Sequence, residues 1–212
     1  MKTDDLIKAI AEDGAASARP LSLRVLVALG IGGLLAAALF AQALGVRPDI
    51  GSAMQTWRFV GKVVITLTCF AAALWATAQL SRPDAEPRTA LAAFSLPMLL
   101  LGLAIGVELA SSSAGTWSAR AMGSNSRLCL ASITLLSVAP LVALLVALRA
   151  GAPRSPAMAG AAAGLLAGGL GAVLYAIHCP DDSPLFVALW YVPAVALVVL
   201  AGAAAGSRVL RW

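Results

Sequence analysis

The sequence predicts an all-α polytopic membrane protein, a bundle of six transmembrane helices with a short cytoplasmic amphipathic helix at its N-terminus. Three observations predict it. Of 212 residues, 60% are hydrophobic and only 12% are charged, against roughly 25% charged in an ordinary soluble domain. The mean hydropathy is +0.90, more apolar surface than a soluble fold of this size can hide, because surface grows too fast with volume. The apolar residues also fall in uncharged stretches of helical span length. They do not fall in the alternating ten-residue segments of a β-barrel.

Residues 1–24 are the one substantial polar segment. Thr3 or Asp4 can cap a helix, and Asp4 and Asp5 suit the positive end of its first turn. Leu6, Ile7 and Ile10 fall at i, i+1 and i+4 and share one face. Glu12 and Asp13 take the polar side, Gly14 ends the helix, and residues 15–20 read as a linker. A helix of about ten residues is marginal alone in water, so this one is expected to fold on a partner that covers its apolar face. A helix lying on a membrane surface would carry Lys and Arg on its polar side. Here Asp4, Asp5, Glu12 and Asp13 outnumber Lys2 and Lys8.

Six uncharged windows follow: Val25–Leu44, Val63–Leu80, Leu91–Val107, Leu128–Leu148, Ala157–Ile177 and Leu185–Ala205. Each approaches the ~20 residues needed to cross ~30 Å of hydrocarbon. The first, ending in Ala41-Gln42-Ala43, imitates a signal peptide. The tail before it is too long and too acidic for that, since a signal n-region is short and basic. The organisation expected is a tail at 1–24, a membrane domain at 25–206 and a C-terminal tail at 207–212. No soluble catalytic domain fits, and no cofactor motif is present.

An even count puts both termini on one side, which Lys and Arg choose. That side carries Lys2, Lys8, Arg19, Arg24, Arg82, Arg88, Arg149, Arg154, Arg208 and Arg211. The other carries Arg47, Arg58, Lys62, Arg120 and Arg127. The bias predicts cytoplasmic termini. It also accounts for the net charge of +5 without a nucleic-acid patch.

Small residues four apart let helices approach closely in lipid. Gly160, Gly164 and Gly168 form such a stripe, with Gly102/Gly106 and Gly202/Gly206 as further pairs. Packing within one chain is the expected use. Pro97, Pro140 and Pro193 are expected to kink helices 3, 4 and 6.

Of the three cysteines, Cys69 reads as a small buried hydrophobe in mid-span. Cys129, at the start of helix 4, and Cys179, at the end of helix 5, reach the same non-cytoplasmic surface, with Glu108 near that level. A disulfide or reactive pair is one use, with Arg127 and the helix terminus favouring a thiolate. A soft-metal site with His178 is another. Two buried packing thiols are the bland alternative.

Several stretches together resemble the NrsF family of integral-membrane anti-sigma factors. They are Met1-Lys2-Thr3-Asp4-Asp5-Leu6-Ile7; Cys129-Leu130 with Ser137 and Pro140; Leu148-Arg149-Ala150-Gly151-Ala152-Pro153; and the run 163–170. The most specific is Tyr175-Ala176-Ile177-His178-Cys179-Pro180-Asp181-Asp182-Ser183-Pro184, followed by Trp190-Tyr191 and the ending Leu210-Arg211-Trp212. The resemblance implies a multi-pass protein of a bacterial inner membrane that holds an extracytoplasmic-function (ECF) sigma factor away from RNA polymerase. It implies no direct nucleic-acid contact, and release under oxidative or metal stress sensed through two cysteines. Carried over by position, those are Cys129 and Cys179. The sigma-binding element corresponds to the N-terminal segment with Asp4, Asp5, Leu6 and Ile7; the residue-level reading adds Ile10 to that face and His178 to the sensor. The alternatives are a small membrane thiol oxidoreductase, which lacks a CxxC, and a small transporter, which usually shows charge or broken helices at mid-membrane.

Overall fold

The computed structural model describes residues 21–80, 87–151, 153 and 155–210. The expected N-terminal helix, with Asp4, Asp5, Leu6, Ile7 and Ile10, lies outside the described residues. Six long helices carry the fold: α1 (Leu21–Ala43), α2 (Trp57–Leu80), α3 (Ser95–Ser111), α4 (Ser126–Leu148), α5 (Pro156–Ala176) and α6 (Pro184–Val209). Short helices at Ile50–Ala53, Pro87–Ala92 and Trp117–Met122 sit in the connections, and there is no strand among the described residues. All but α3 are individually long and apolar enough to cross a membrane. The α3 span turns by 120° after Ser111 into Ala114–Met122.

Helix α5 is the centre of the bundle. Its span is 61% buried, against 28% for α1, so it packs on several sides while α1 faces lipid on most of its surface. The glycine stripe makes the tightest seam. A Cβ on Gly160 would fall 2.2 Å from the Gly202 carbonyl oxygen, and one on Gly206 would fall 2.7 Å from the Gly160 Cα. The expectation that Gly160, Gly164, Gly202 and Gly206 pack within one chain therefore holds for the α5–α6 pair. Gly102 and Gly106 differ: nothing lies within 4 Å of either added Cβ, and both face outward.

Helix α1 meets α4 backbone to backbone, where a Cβ on Gly32 would fall 2.5 Å from Pro140 Cα. The Pro140 position stays inside a helix continuous from Ser126 to Leu148. The kink expected at Pro97 is overturned. The helix starts at Ser95, so Pro97 sits in the first turn, whose N–H groups have no intrahelical acceptor to lose. Pro193 follows a π-helical turn at Val187–Tyr191. The wider turn gives room to the ring, which would otherwise press on the carbonyl four residues back.

Helix α2 begins at Trp57, six residues before the apolar window. Arg58 and Lys62 thus belong to its first turns rather than to a loop. Lys62 is 2% exposed, and that burial is explained by the site at this end of the bundle. Cys69 is half-buried rather than buried, lining an apolar groove of about 470 Å³ between α2, α3, α5 and α6.

Candidate functional site: a buried thiol pair under a polar cap

The segment 177–183 between α5 and α6 is where the chain's ends of four helices meet. Helix α5 stops at Ala176, and Cys179 closes a turn through its N–H to the Tyr175 carbonyl at 3.0 Å. Across from it, α4 starts at Ser126, and the Cys129 N–H reaches the Asn125 carbonyl at 2.7 Å. Both thiols are 0% exposed and share one apolar cluster with Tyr175, Phe186 and Tyr191. Both are free. The expectation that Cys129 and Cys179 arrive at one depth is met, although under a lid of polar groups rather than at an open surface.

That lid is a set of ion pairs. Asp182 accepts from Arg47 Nη1 at 2.8 Å and from Lys62 Nζ. The same two cations donate to the Cys179 carbonyl, Lys62 at 2.7 Å and Arg47 at 3.3 Å. The other edge of the Arg47 guanidinium grips both oxygens of Asp49, at 2.7 Å each. The hydrogen bonds to Asp49 hold Arg47 above its ordinary pKa against the opposing effect of burial, and the same fork holds Asp49 below the usual carboxylate range. Nearby, the fully buried Glu108 accepts from Arg58 at 2.7 Å and from Arg120 at 2.8 Å. Buried charges persist only when paired and hydrogen-bonded. Four of the five cations counted on this side are paired in this way.

Asp181 points the other way, into the start of α4. Its carboxylate accepts the N–H groups of Ser124 at 3.1 Å and Asn125 at 2.9 Å. The Asn125 side chain makes no cap of its own; Asp181 accepts the N–H groups just ahead of the first helical residue and sets its charge at the positive helix terminus.

Two functional expectations change. Burial pushes the Cys179 thiol up from its ordinary value, so the sulfur stays protonated at rest instead of poised as a thiolate. The cation whose field reaches both sulfurs is Lys62, whereas Arg127 is exposed. His178 stacks against Tyr175, ring centroids 5.7 Å apart, and its Nδ1 lies 3.0 Å from the Gly45 carbonyl. Since a carbonyl only accepts, Nδ1 carries the proton. Among the described residues no three His, Cys, Asp or Glu side chains group as a metal cage.

The sequence reading missed Arg47, Lys62 and Asp182 as a unit, and with them the Tyr175 and Tyr191 hydroxyls. Those hydroxyls are buried beside the Cys179 sulfur without an aligned hydrogen bond. The signal available was charge bookkeeping at one level: Arg47, Lys62, Asp181 and Asp182 all border spans on the cysteine side.

Residues 10–212 match the family model NrsF, negative regulator of sigma F. The chain is 36% identical over 214 residues to the probable anti-sigma-F factor NrsF of Azospira oryzae (strain ATCC BAA-33 / DSM 13638 / PS), covering all of both chains. It is 36% identical over 215 residues, again covering all of both, to the anti-sigma-F factor NrsF of Caulobacter vibrioides (strain NA1000 / CB15N). No solved structure matches it.

Proposed function

The chain belongs to the NrsF family of negative regulators of sigma F, and from that premise we propose that it holds an ECF sigma factor at a bacterial inner membrane and releases it when Cys129 and Cys179 react. Its role is that of an anti-sigma factor, regulatory and not catalytic, which sets aside the thiol-oxidoreductase alternative. The N-terminal segment docks its Leu6/Ile7/Ile10 face on the sigma factor, with Asp4 and Asp5 meeting basic residues there. The Lys and Arg bias of the loops supports cytoplasmic termini and a periplasmic thiol pair.

One observation carries the sensor half: two free thiols, 0% exposed, lie inside a single buried cluster. A structural cysteine needs no partner thiol, whereas a sensor that answers by forming a disulfide does. With hydrogen peroxide as oxidant, the sulfurs give up two electrons and two protons, one S–S bond forms, the O–O bond breaks, and two waters leave. The oxidising side of the inner membrane suits that chemistry. The new bond tightens α4 against the 177–183 segment, and the tail loses affinity. A coupling of ~1–3 kcal/mol changes affinity about 5–150-fold.

Co-purification of the sigma factor tests both halves. The Leu6→Asp/Ile10→Asp variant is expected to lose the sigma factor. The Cys129→Ser/Cys179→Ser variant is expected to keep it and to hold it through peroxide treatment. Binding retained by the first, or release by the second, overturns the corresponding half. Topology is checked by impermeant labelling of Ser113→Cys, an exposed loop position, in intact spheroplasts of a strain lacking the native thiols; labelling only after lysis inverts the orientation.

A further inference from the structure

Three links tie the end of α1 to the segment bearing Cys179. His178 Nδ1–H donates to the Gly45 carbonyl at 3.0 Å, and the Arg47 N–H donates to the Ile177 carbonyl at 3.2 Å. Arg47 Nη1 donates to both Asp182 at 2.8 Å and the Cys179 carbonyl at 3.3 Å. The turn that brings Arg47 there is built for the purpose: α1 ends at Ala43, and Gly45 takes φ +70°, a left-handed cap that reverses the chain. Arg47 is 8% exposed, and Asp49 fixes the other edge of its fork. It has no freedom to let the segment move without moving itself.

The rest of α1 is attached differently. Its one glycine in backbone contact with another helix is Gly32, against Pro140. Gly30 has open space, and Gly33 meets only the side chain of Leu170 at 3.4 Å. Leu26, Ile31, Leu34 and Leu35 are exposed along the same helix. Helix α1 is therefore held at its end by Arg47 and packed along one buried stripe, Val25, Ala28, Gly32, Ala36 and Phe40, with its closest backbone approach at Gly32 and Pro140. In sequence, the 15–20 stretch joins it to the N-terminal segment.

We propose that Arg47 is the positioning residue that couples the Cys179 segment to α1, so that a change at the thiols displaces α1 along its seam with α4 and reaches the N-terminal segment. This rests on the sensing role assigned to Cys129 and Cys179. Joining the sulfurs reorients the Cys179 peptide, whose carbonyl accepts from the Arg47 guanidinium together with Asp182, and the Arg47 side chain follows them. Helix α2 shares the clamp through Lys62 but leads to the 81–86 connection, not to the tail. An arginine suits the place because its planar fork grips Asp49 with one edge while the other reaches Asp182.

The test uses full-length protein in lipid nanodiscs, oxidised with diamide, which takes two hydrogens from the thiol pair and becomes the hydrazine. Ketone-bearing residues replace Leu23 and Val146, both exposed, on α1 and α4, and carry fluorophores attached independently of thiols. In the otherwise native protein the inter-label distance is expected to change on oxidation. In Arg47→Gln the disulfide forms to the same extent, by alkylation gel shift, while the distance change shrinks and sigma release slows at least tenfold. Arg47→Lys recovers only part of the coupling. If Arg47→Gln does not accumulate in membranes, Asp182→Asn cuts the same link from the other side. An unchanged distance in the native protein after disulfide formation overturns the proposal, as does native-like release by both variants. Release that persists in Cys129→Ser/Cys179→Ser defeats the sensing role instead, and the label distance still decides the coupling.

Discussion

Asp181 caps a helix from 56 residues away: its carboxylate accepts the Asn125 N–H at 2.9 Å, at the very start of α4. Cys129 lies one turn further on, so the cap and the thiol share a helical end. Loss of a capping acceptor costs about 0.5–2 kcal/mol, and loss of an anion at a helix N-terminus up to about 1 kcal/mol more. The Asp181→Ala variant is expected to fray residues 126–129, read as faster amide exchange there with little change in mid-helix α4. Equal protection in variant and parent would remove Asp181 from the account.

The glycine seam yields a paired prediction. Gly160→Ala puts a methyl 2.2 Å from the Gly202 carbonyl oxygen and 2.8 Å from Gly206 Cα. Both are backbone atoms that cannot step aside. Forcing α5 and α6 apart costs ~1–3 kcal/mol or more. Gly102→Ala and Gly106→Ala meet nothing within 4 Å and gain up to about 1 kcal/mol of helix propensity each. Thermal unfolding in one detergent should order the three with Gly160→Ala lowest and the other two at or above the parent.

How much of this was legible beforehand follows from which forces are local. Apolar run length is local, and six windows became six helices. The spacing of Gly160, Gly164 and Gly168 is local too, and it marked a seam. What escaped was pairing across the chain. Arg58 and Lys62 looked like loop residues because a charge ordinarily ends a span; they are inside α2 because Glu108 and Asp182 meet them. The burial of Cys179 was out of reach for the same reason, since its apolar neighbours come from distant helices. Pro97 failed for the opposite reason. Its effect depends on a helix boundary that shifted by a few residues, from mid-span to first turn.

Glu108 holds the bent end of α3. It is 0% exposed, between Arg58 on α2 and Arg120 beyond the 120° turn. Removing one partner of a fully buried pair costs about 3–5 kcal/mol. Here the two arginines are 33% and 36% exposed and can turn to water, so Glu108→Ala is expected to cost less, roughly 1–3 kcal/mol. The loss should localise: exchange protection falls at residues 114–122 and along the first turns of α2, while the α5–α6 seam is unaffected. A uniform loss across the bundle would contradict this.

The thiol beneath the cap makes stability depend on alkaline pH. Burial raises the Cys179 thiol above its ordinary value, so the folded state binds that proton more tightly than the unfolded chain, whose cysteines titrate near 8.5. A raised folded value contributes stability that is complete below the unfolded value and is lost as pH rises through the folded one. Stability should therefore be flat through neutral pH and decline above about 8.5. In Cys179→Ser the decline should be smaller, since serine does not ionise in this range. The same protonation governs chemistry, because thiolate is the nucleophile. Alkylation of Cys179 in a Cys69→Ser/Cys129→Ser background should keep accelerating with pH well past the range in which a free cysteine reaches its plateau. A plateau at the free-cysteine value would mean that the thiol is solvated, and that the lid of Arg47, Lys62 and Asp182 does not close over it.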